Sequence, residues 1–359
     1  REALSTLFSG TLEFNNLFTS FKGEGTGAVR HMFSHHILKP ERTPLEAHPW
    51  GTPQSSGSFS TLYKSRLQRA HEYKTWPTDL VVSGGNVERV SGLAHPLAAT
   101  LVGSWSEFAQ AEGQSAYVAT RNSAETDLPV ASVDLVVTDP PYMDNVYYAE
   151  LADFFHAWLQ SIRPHESYET TPTTRAVGEV QNSDPAEFGK AIEAVWSECE
   201  RVLKPGGLLA FTFHQARISG WLQVIESLKR AGFVVTAVQP VKGEMSTSIV
   251  KAGAREPSNL DSVVVCRRLV DGAETLSGSL TEARERAVGE LVRLREAGVD
   301  VGAGDIRSVV RGSLLAYLAA SGRNLDEAAA DKVDGIAAET IKELETRRTP
   351  VAAEVAVLF

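Results

Sequence analysis

Ten residues, Val133-Asp-Leu-Val-Val-Thr-Asp-Pro-Pro-Tyr142, constrain the fold more than any other stretch of the chain. Leu135, Val136 and Val137 form a short apolar run rich in β-branched side chains, the pattern of a strand buried on both faces. Two prolines stop it, because proline lacks the N–H that a strand interior uses. An acid, Asp139, therefore stands at the carboxyl end of a predicted central strand, where open α/β sheets place their ligands. Pro140 and Pro141 stiffen the loop and leave carbonyls outside any ladder, and Tyr142 adds a flat ring. A carboxylate, a free carbonyl and an aromatic face together suit a planar group carrying NH2. The two acceptors take its hydrogens while the ring stacks on it, and the exocyclic amine of a nucleobase is such a group.

The flanks extend this pattern. Ala116 to Pro129 reads as a strand followed by a polar turn, and Arg201 to His214 as a helix end, a Pro-Gly-Gly turn and another buried strand. With these flanks, Asp-Pro-Pro-Tyr resembles the catalytic tetrapeptide of the S-adenosylmethionine-dependent amino-methyltransferases, which methylate adenine N6 or cytosine N4 in DNA. The resemblance implies an α/β, class I methyltransferase (Rossmann-like) fold. It implies catalytic roles for Asp139, Pro140, Pro141 and Tyr142, cofactor contacts from Ser123, Thr138 and Asp139, and substrate contacts from Asn145 and Tyr147. Asp127-Leu-Pro129 looks like the segment whose polar residue lies near the cofactor adenine. No metal is expected. Phe233–Val238 and Asp261–Cys266 pair naturally as the last two strands of a mostly parallel sheet, the final one antiparallel at the edge.

A second resemblance is more particular. The order Lys22-Gly-Glu-Gly-Thr-Gly27, His35-His36-Ile-Leu-Lys-Pro40 and Asp139-Pro-Pro-Tyr-Met-Asp-Asn-Val-Tyr-Tyr-Ala-Glu-Leu151 is similar to the carboxy-terminal portion of large bacterial adenine-specific DNA methylases that carry a domain of unknown function at the amino end. The likeness runs from about Leu4 to about Arg268. In that family the glycine cofactor motif lies upstream, which implies that an upstream segment or a second polypeptide supplies it here. Phe21-x-Gly-x-Gly25 matches the cofactor loop only superficially, since Asn15, Asn16, Thr19 and Ser20 interrupt any buried strand before it. Leu80-Val-Val-Ser-Gly-Gly85 runs a short strand into two glycines but lacks the Gly-x-Gly spacing.

At 359 residues and 43% hydrophobic content, the chain is long enough for two domains or one decorated domain. No apolar run approaches membrane-spanning length, no secretory leader is recognisable, and Cys199 and Cys266 fall in helix and strand patterns as buried free thiols. A cytoplasmic location is expected. The opening Arg1-Glu-Ala-Leu, without methionine, is that of a processed chain, a subunit or an excised piece. The net charge of -10 argues against a uniformly basic nucleic-acid binder, yet residues 1 to 75 carry nine Lys/Arg against six Asp/Glu, and residues 131 to 200 carry three against thirteen. A DNA-reading surface is expected in the amino-terminal third, where Leu62 to Tyr73 reads as a helix with a basic face of Lys64, Arg66 and Arg69. His31, His35 and His36 lack the partners of a zinc site. Phosphate or base contact suits them better, and a plain surface loop better still.

Residues 1–95 are thus expected to form a loop-rich DNA-contacting region, 96–270 the catalytic core and 271–359 a helical appendage that packs on the core or on a partner. Within the core, a helix of about sixteen residues follows His95-Pro96, judged by its apolar period. Asp144 caps a second helix with an apolar stripe of Val146, Leu151, Phe154, Phe155, Trp158, Leu159 and Ile162. Arg163 to Asn182 is a lid or DNA-contacting loop, and so is Lys242 to Leu260. Asp184-Pro-Ala-Glu187 supplies a cap, a first-turn proline and a capping-box glutamate. Further helices are expected near Thr281–Ala297, Asp305–Ala320 and Leu325–Arg347. The expected activity is methylation of adenine N6 in a flipped base of DNA, in a restriction or phage-defence system. RNA guanine-N2 or cytosine-N4 methylation, and a non-catalytic DNA-binding subunit, are the alternatives. Neither cysteine is placed as the nucleophile that cytosine-C5 chemistry needs.

Overall fold

Segments that are distant in sequence fold together. The computed structural model describes all residues except 22–28, 36–37, 52–56, 84–85, 93–98, 144–145, 216, 244–258, 272–278 and 347–359. Residues 1–120 group with 147–177 in a first unit, and residues 121–146 with 178–359 in a second. The segment after the Asp-Pro-Pro-Tyr loop thus groups with the amino-terminal residues, and the carboxy-terminal helices group with the sheet.

The first unit opens with α1 (Glu2–Leu12) and an antiparallel pair of two-residue strands, β1 (Ser20–Phe21) and β2 (Val29–Arg30). The Gly-rich stretch between these strands lies outside the described residues. Next, α2 (Phe59–Leu62), a π-helical stretch Tyr63–Gln68 and α3 (Arg69–Thr75) run on from one another and together hold the basic helix expected over Leu62 to Tyr73, with Lys64 and Arg66 in the π-helical stretch and Arg69 at the head of α3. The Leu80 run is β3 (Thr78–Ser83), which pairs antiparallel with β4 (Asn86–Ser91), so it enters a hairpin and not a cofactor loop.

The sixteen-residue helix expected after His95 is absent among the described residues. Instead β5 (Thr100–Val102) and β6 (Ser115–Tyr117) pair in parallel on either side of a short α4 (Trp105–Gln110). Ser104 starts that helix afresh by accepting the Glu107 N–H, and the β-branched Thr100 and Val102 before it are extended.

The last helix of this unit, α5 (Tyr148–Ile162), begins after the predicted point. Its cap position is Tyr147, with no side-chain hydrogen bond, and Asp144 lies outside the described residues. The aromatic stripe meets the amino-terminal residues: Phe8 edges onto Trp158 at 6.3 Å, Phe18 onto Phe154 at 5.8 Å, and Phe33 stacks on Phe155 at 5.5 Å. Trp158 nonetheless stays half exposed. The Thr-rich segment expected as a lid is stapled to α5. Asp153 accepts from Thr173 Oγ1 at 2.7 Å and from the Thr174 amide at 2.5 Å, and His156 bridges Tyr168 at 3.0 Å and the Thr171 carbonyl at 2.8 Å. The Thr174 amide and the threonine hydroxyls hold the Asp153 carboxyl below its usual range.

The second unit holds β7 (Val133–Thr138), α6 (Pro185–Val202), β8 (Leu203–Phe213), α7 (Ile218–Arg230), β9 (Phe233–Lys242) and β10 (Leu260–Arg268), followed by α8 (Leu280–Glu296), α9 (Ala303–Ala320) and α10 (Glu327–Thr346). The sheet order is β7-β8-β10-β9, with β7 parallel to β8 and β10 antiparallel to both neighbours. The final strand is therefore antiparallel as expected, but it is internal and not at the edge. Its alternate residues Leu260, Ser262, Val264 and Cys266 are all buried, and both of its backbone edges are paired. The edge is β7. Leu135 is 52% exposed and Val137 73%, so the expectation of a strand buried on both faces fails for these residues.

Local chemistry starts the helices. Asp184 accepts the N–H groups of Ala186 and Glu187 at the head of α6, with Pro185 in the first turn. The capping-box role predicted for Glu187 falls to Asn182, whose Oδ1 accepts the Asp184 N–H at 2.9 Å, while Glu187 pairs with Lys190. The Pro-Gly-Gly segment falls within β8 as a bulge: the ladder with β7 jumps from the Val133–Leu203 pair to the Leu135–Leu208 pair, and Gly206 takes φ 76. A Cβ on Gly207 would lie 2.9 Å from the Lys204 carbonyl oxygen and 3.1 Å from that of Asp134, so only glycine lets β7 and β8 approach here.

One core gathers Phe188, Ile192 and Trp196 of α6, Phe211 and Phe213 of β8, Trp221 and Val224 of α7, and Val264 of β10 with Val309, Leu314, Val333 and Ile341 of the carboxy-terminal helices. These helices lie within a residue or two of their predicted positions. They pack on the sheet and share its core. Asp305, fully buried, accepts the Asn259 and Leu260 N–H groups and ties the head of α9 to β10.

Candidate active site

Strand β7 ends at Thr138, which pairs with Phe211 of the parallel strand β8, and the chain passes directly into Asp139. Because β7 and β8 run the same way, their carboxyl ends open on the same side, and the loop after β7 lies beside the end of β8. Asp139 is exposed there. Its Oδ1 accepts two hydroxyls, that of Tyr142 at 2.8 Å and that of Thr212 on β8. Among the described residues, Oδ2 accepts no hydrogen bond.

The loop is held from below. Tyr142 is partly buried and packs its ring edge-on to Phe213 at 5.5 Å. Gln215, 2% exposed, donates from Nε2 to the Tyr142 carbonyl at 3.3 Å and accepts the Arg217 N–H through Oε1. Met143 is fully buried in a left-handed conformation at φ 60, a backbone state a side chain adopts only when its surroundings demand it. Burial raises the Tyr142 hydroxyl's pKa, with the hydrogen bond to Asp139 and the charges of Asp261 and Asp139 adding to it against the Thr212 bond. The hydroxyl therefore stays protonated and keeps donating to Asp139.

Asp139, Pro140, Pro141 and Tyr142 thus form one stiff loop, exposed at Asp139 and partly buried at the other three, with Thr138 at its base. Ser123 is exposed in a turn that Asn122 opens by accepting the Ala124 N–H, and no hydrogen bond links it to the Asp139 loop among the described residues. Tyr147 is 39% exposed in the first unit, and Asn145 lies outside the described residues. His31 pairs with Glu13 at 3.2 Å, whereas the His35 side chain and His36 lie outside. No group of His, Cys, Asp or Glu among the described residues is arranged to hold a metal ion. Nor is any of their helices long and apolar enough to cross a membrane.

Sequence reasoning missed a buried clamp. Glu198 on α6, 8% exposed, accepts the Thr126 N–H at 2.9 Å, the Thr126 hydroxyl at 2.5 Å and both Nε and Nη2 of Arg201 at 2.7 Å. Arg201 also donates to the Leu128 carbonyl at 2.7 Å. Together they fix the segment between Ser123 and β7. The Arg201 guanidinium, with the Thr126 hydroxyl and amide, pulls the Glu198 carboxyl down to about 2 against its burial. Thr212 was also missed. Its signal is a single hydroxyl between Phe211 and Phe213 in the otherwise apolar run Leu208 to Phe213. Cys199 and Cys266 are buried and free, and burial pushes the Cys199 thiol up to about 12, so neither is a nucleophile at neutral pH.

A methyl donor of the S-adenosylmethionine type needs glycine backbone to approach it closely after a buried strand. The described residues offer acids and hydroxyls at the carboxyl end of β7 but no such glycine loop, so they fit only part of that group. No protein-family profile and no curated protein matches the sequence. Among solved structures, a protein named as a putative DNA modification methylase from Thermus thermophilus, complexed with S-adenosyl-L-methionine, is 18% identical, with 61% of this chain and 93% of that chain covered at a TM-score of 0.24. PvuII DNA methyltransferase, cytosine-N4-specific, is 13% identical, with 60% and 88% covered at a TM-score of 0.25. Values this low establish no common fold by themselves, and the functional reading rests on the chain's own residues.

Proposed function

We propose that this chain is the catalytic part of a DNA amino-methyltransferase acting on adenine N6, in a restriction or phage-defence system, with S-adenosylmethionine as methyl donor. The observation that carries the reading is an exposed carboxylate at the open end of a parallel strand pair, one oxygen held by two hydroxyls and the other unengaged, on a loop stiffened by two prolines. A duplex hides the amine, so the target base leaves the stack and enters the site. Asp139 Oδ2 and the Pro140 carbonyl then accept the two amine hydrogens and keep the nitrogen lone pair aimed at the methyl group. S-adenosylmethionine, when bound, would supply the methyl carbon to the nitrogen lone pair and keep the C–S electron pair on its sulfur, and Asp139 would take the proton the amine loses. Positioning supplies most of the rate. The adenine assignment, and roles for Ser123 and Thr138 towards the cofactor and for Asn145 and Tyr147 towards the base, rest on the resemblance to adenine-specific methylases.

Exposed Lys64, Arg66 and Arg69 suit phosphate contacts. In this reading a further strand, carrying the glycine loop, is added beside β7 from an upstream segment or a second polypeptide; β7 ends the sheet on one side among the described residues, and exposed Leu135 and Val137 leave one of its faces open for that addition. The same edge favours one alternative, a subunit that completes a partner methylase and does not act alone. Transfer of radiolabelled methyl groups to adenine-containing DNA tests the proposal. Asp139→Ala is expected to lower the rate by about two to four orders of magnitude. An unchanged rate removes Asp139 from the chemistry, and a nucleoside product other than N6-methyladenine reassigns the base. Calorimetric titration with S-adenosylmethionine separates the alternatives, since a chain that binds none alone needs the partner.

A further inference from the structure

We infer that Thr212 is the positioning residue that makes the Asp139 carboxylate a one-sided acceptor, an inference that rests on the amine-methylation reading. A carboxylate on an exposed loop turns easily about its last torsion, whose energy wells are broad and nearly two-fold. Nothing in the loop itself prevents this. Among the described residues Asp139 has no ion pair with a lysine or arginine, and the Tyr142 hydroxyl that reaches Oδ1 at 2.8 Å belongs to the same loop. A bond between two residues of one loop fixes each relative to the other, and lets both move together against the sheet.

Thr212 differs because it belongs to β8. Its backbone pairs with Val263 of β10, its neighbours Phe211 and Phe213 are no more than 1% exposed, and a β-branched side chain is stiff at χ1. Its hydroxyl carries a single proton, and that proton goes to Asp139 Oδ1. Two charge-assisted bonds thus converge on one oxygen. The Tyr142 hydroxyl also lies 3.3 Å from Thr212 Oγ1, so the three oxygens form one cluster anchored in the sheet. What is left to a substrate is Oδ2, held at a constant place relative to the strand ends. Gln215, just past the end of β8, adds a second anchor at the Tyr142 carbonyl.

The test is Thr212→Val, which keeps the branched shape and removes the hydroxyl, beside Thr212→Ser, which keeps the hydroxyl. Methyl transfer to adenine-containing DNA is measured at saturating S-adenosylmethionine over a range of DNA concentrations. Thr212→Val is expected to lower kcat by about ten- to a hundredfold, the worth of one hydrogen bond to a charged group. KM for DNA should stay within about twofold and the melting temperature within about 3 °C, and Thr212→Ser should restore most of kcat. A Thr212→Val protein with wild-type kcat, a loss confined to KM, or a serine variant as slow as the valine one overturns the inference while leaving the methylation reading intact, provided Asp139→Ala is inactive. A wild-type protein that binds both S-adenosylmethionine and adenine-containing DNA yet transfers no methyl group overturns both.

Discussion

Glu198 is a carboxylate whose role appears only in three dimensions. In sequence it is one acid among several on an amphipathic helix, and helix periodicity alone would leave it in solvent. In the fold it lies beneath the segment leading into β7, where every one of its bonds reaches Thr126 or Arg201. Its pKa falls from 4.5 to about 2 on folding, so the stability it confers is present above about pH 4.5 and is lost as the pH falls through about 2. Glu198→Gln is therefore expected to be less stable than wild type in urea at pH 7, with the gap narrowing at pH 3. A gap of equal size at both pH values would show that the charge is not what matters. Asp139 is the opposite case: two prolines and a strand signal announced its place at a strand end. Its hydroxyl partner Thr212 was not legible, because the pairing of β7 with β8 joins residues seventy-three positions apart.

Elements were legible wherever their ends are set by neighbouring residues. The cap at Asp184 and the apolar periods of the last three helices fixed boundaries to within a residue or two. The predicted helix after His95 failed because its apolar spacing also fits a strand, and Ser104 offers the backbone a fresh start. How elements pack was not legible, and α9 shows why. Gly312 reads as a weak point in a helix, yet a Cβ there would lie 2.6 Å from Cη2 of Trp221, which is fully buried. Gly312→Ala should therefore destabilise the protein by about 1–3 kcal/mol through overpacking, against the gain of about 1 kcal/mol that helix propensity alone gives. A thermal melt decides between the two signs.

At the scale of the whole molecule, the shift in composition near residue 271 marked a helical appendage expected to pack on the core or on a partner. The core favours the first: Ala283, Val309, Leu314 and Ile341 belong to the same cluster as Phe211 and Trp221. A chain ending at Arg268 should consequently bind a hydrophobic dye and lose its cooperative melt. A sharp melt of that fragment would show that the sheet stands without these helices. The sequence by itself determined the features that local chemistry controls: the strand ending in Asp139, the stiff loop behind it, the capped helices, the buried cysteines and the antiparallel direction of the last strand. Only the tertiary structure decided that this strand lies inside the sheet, that β7 is left at its edge, and that Thr212, Gln215 and Glu198 hold the loops on either side of β7. Each of these depends on contacts between distant residues, and a hydrophobic pattern records that a face is buried without recording what buries it.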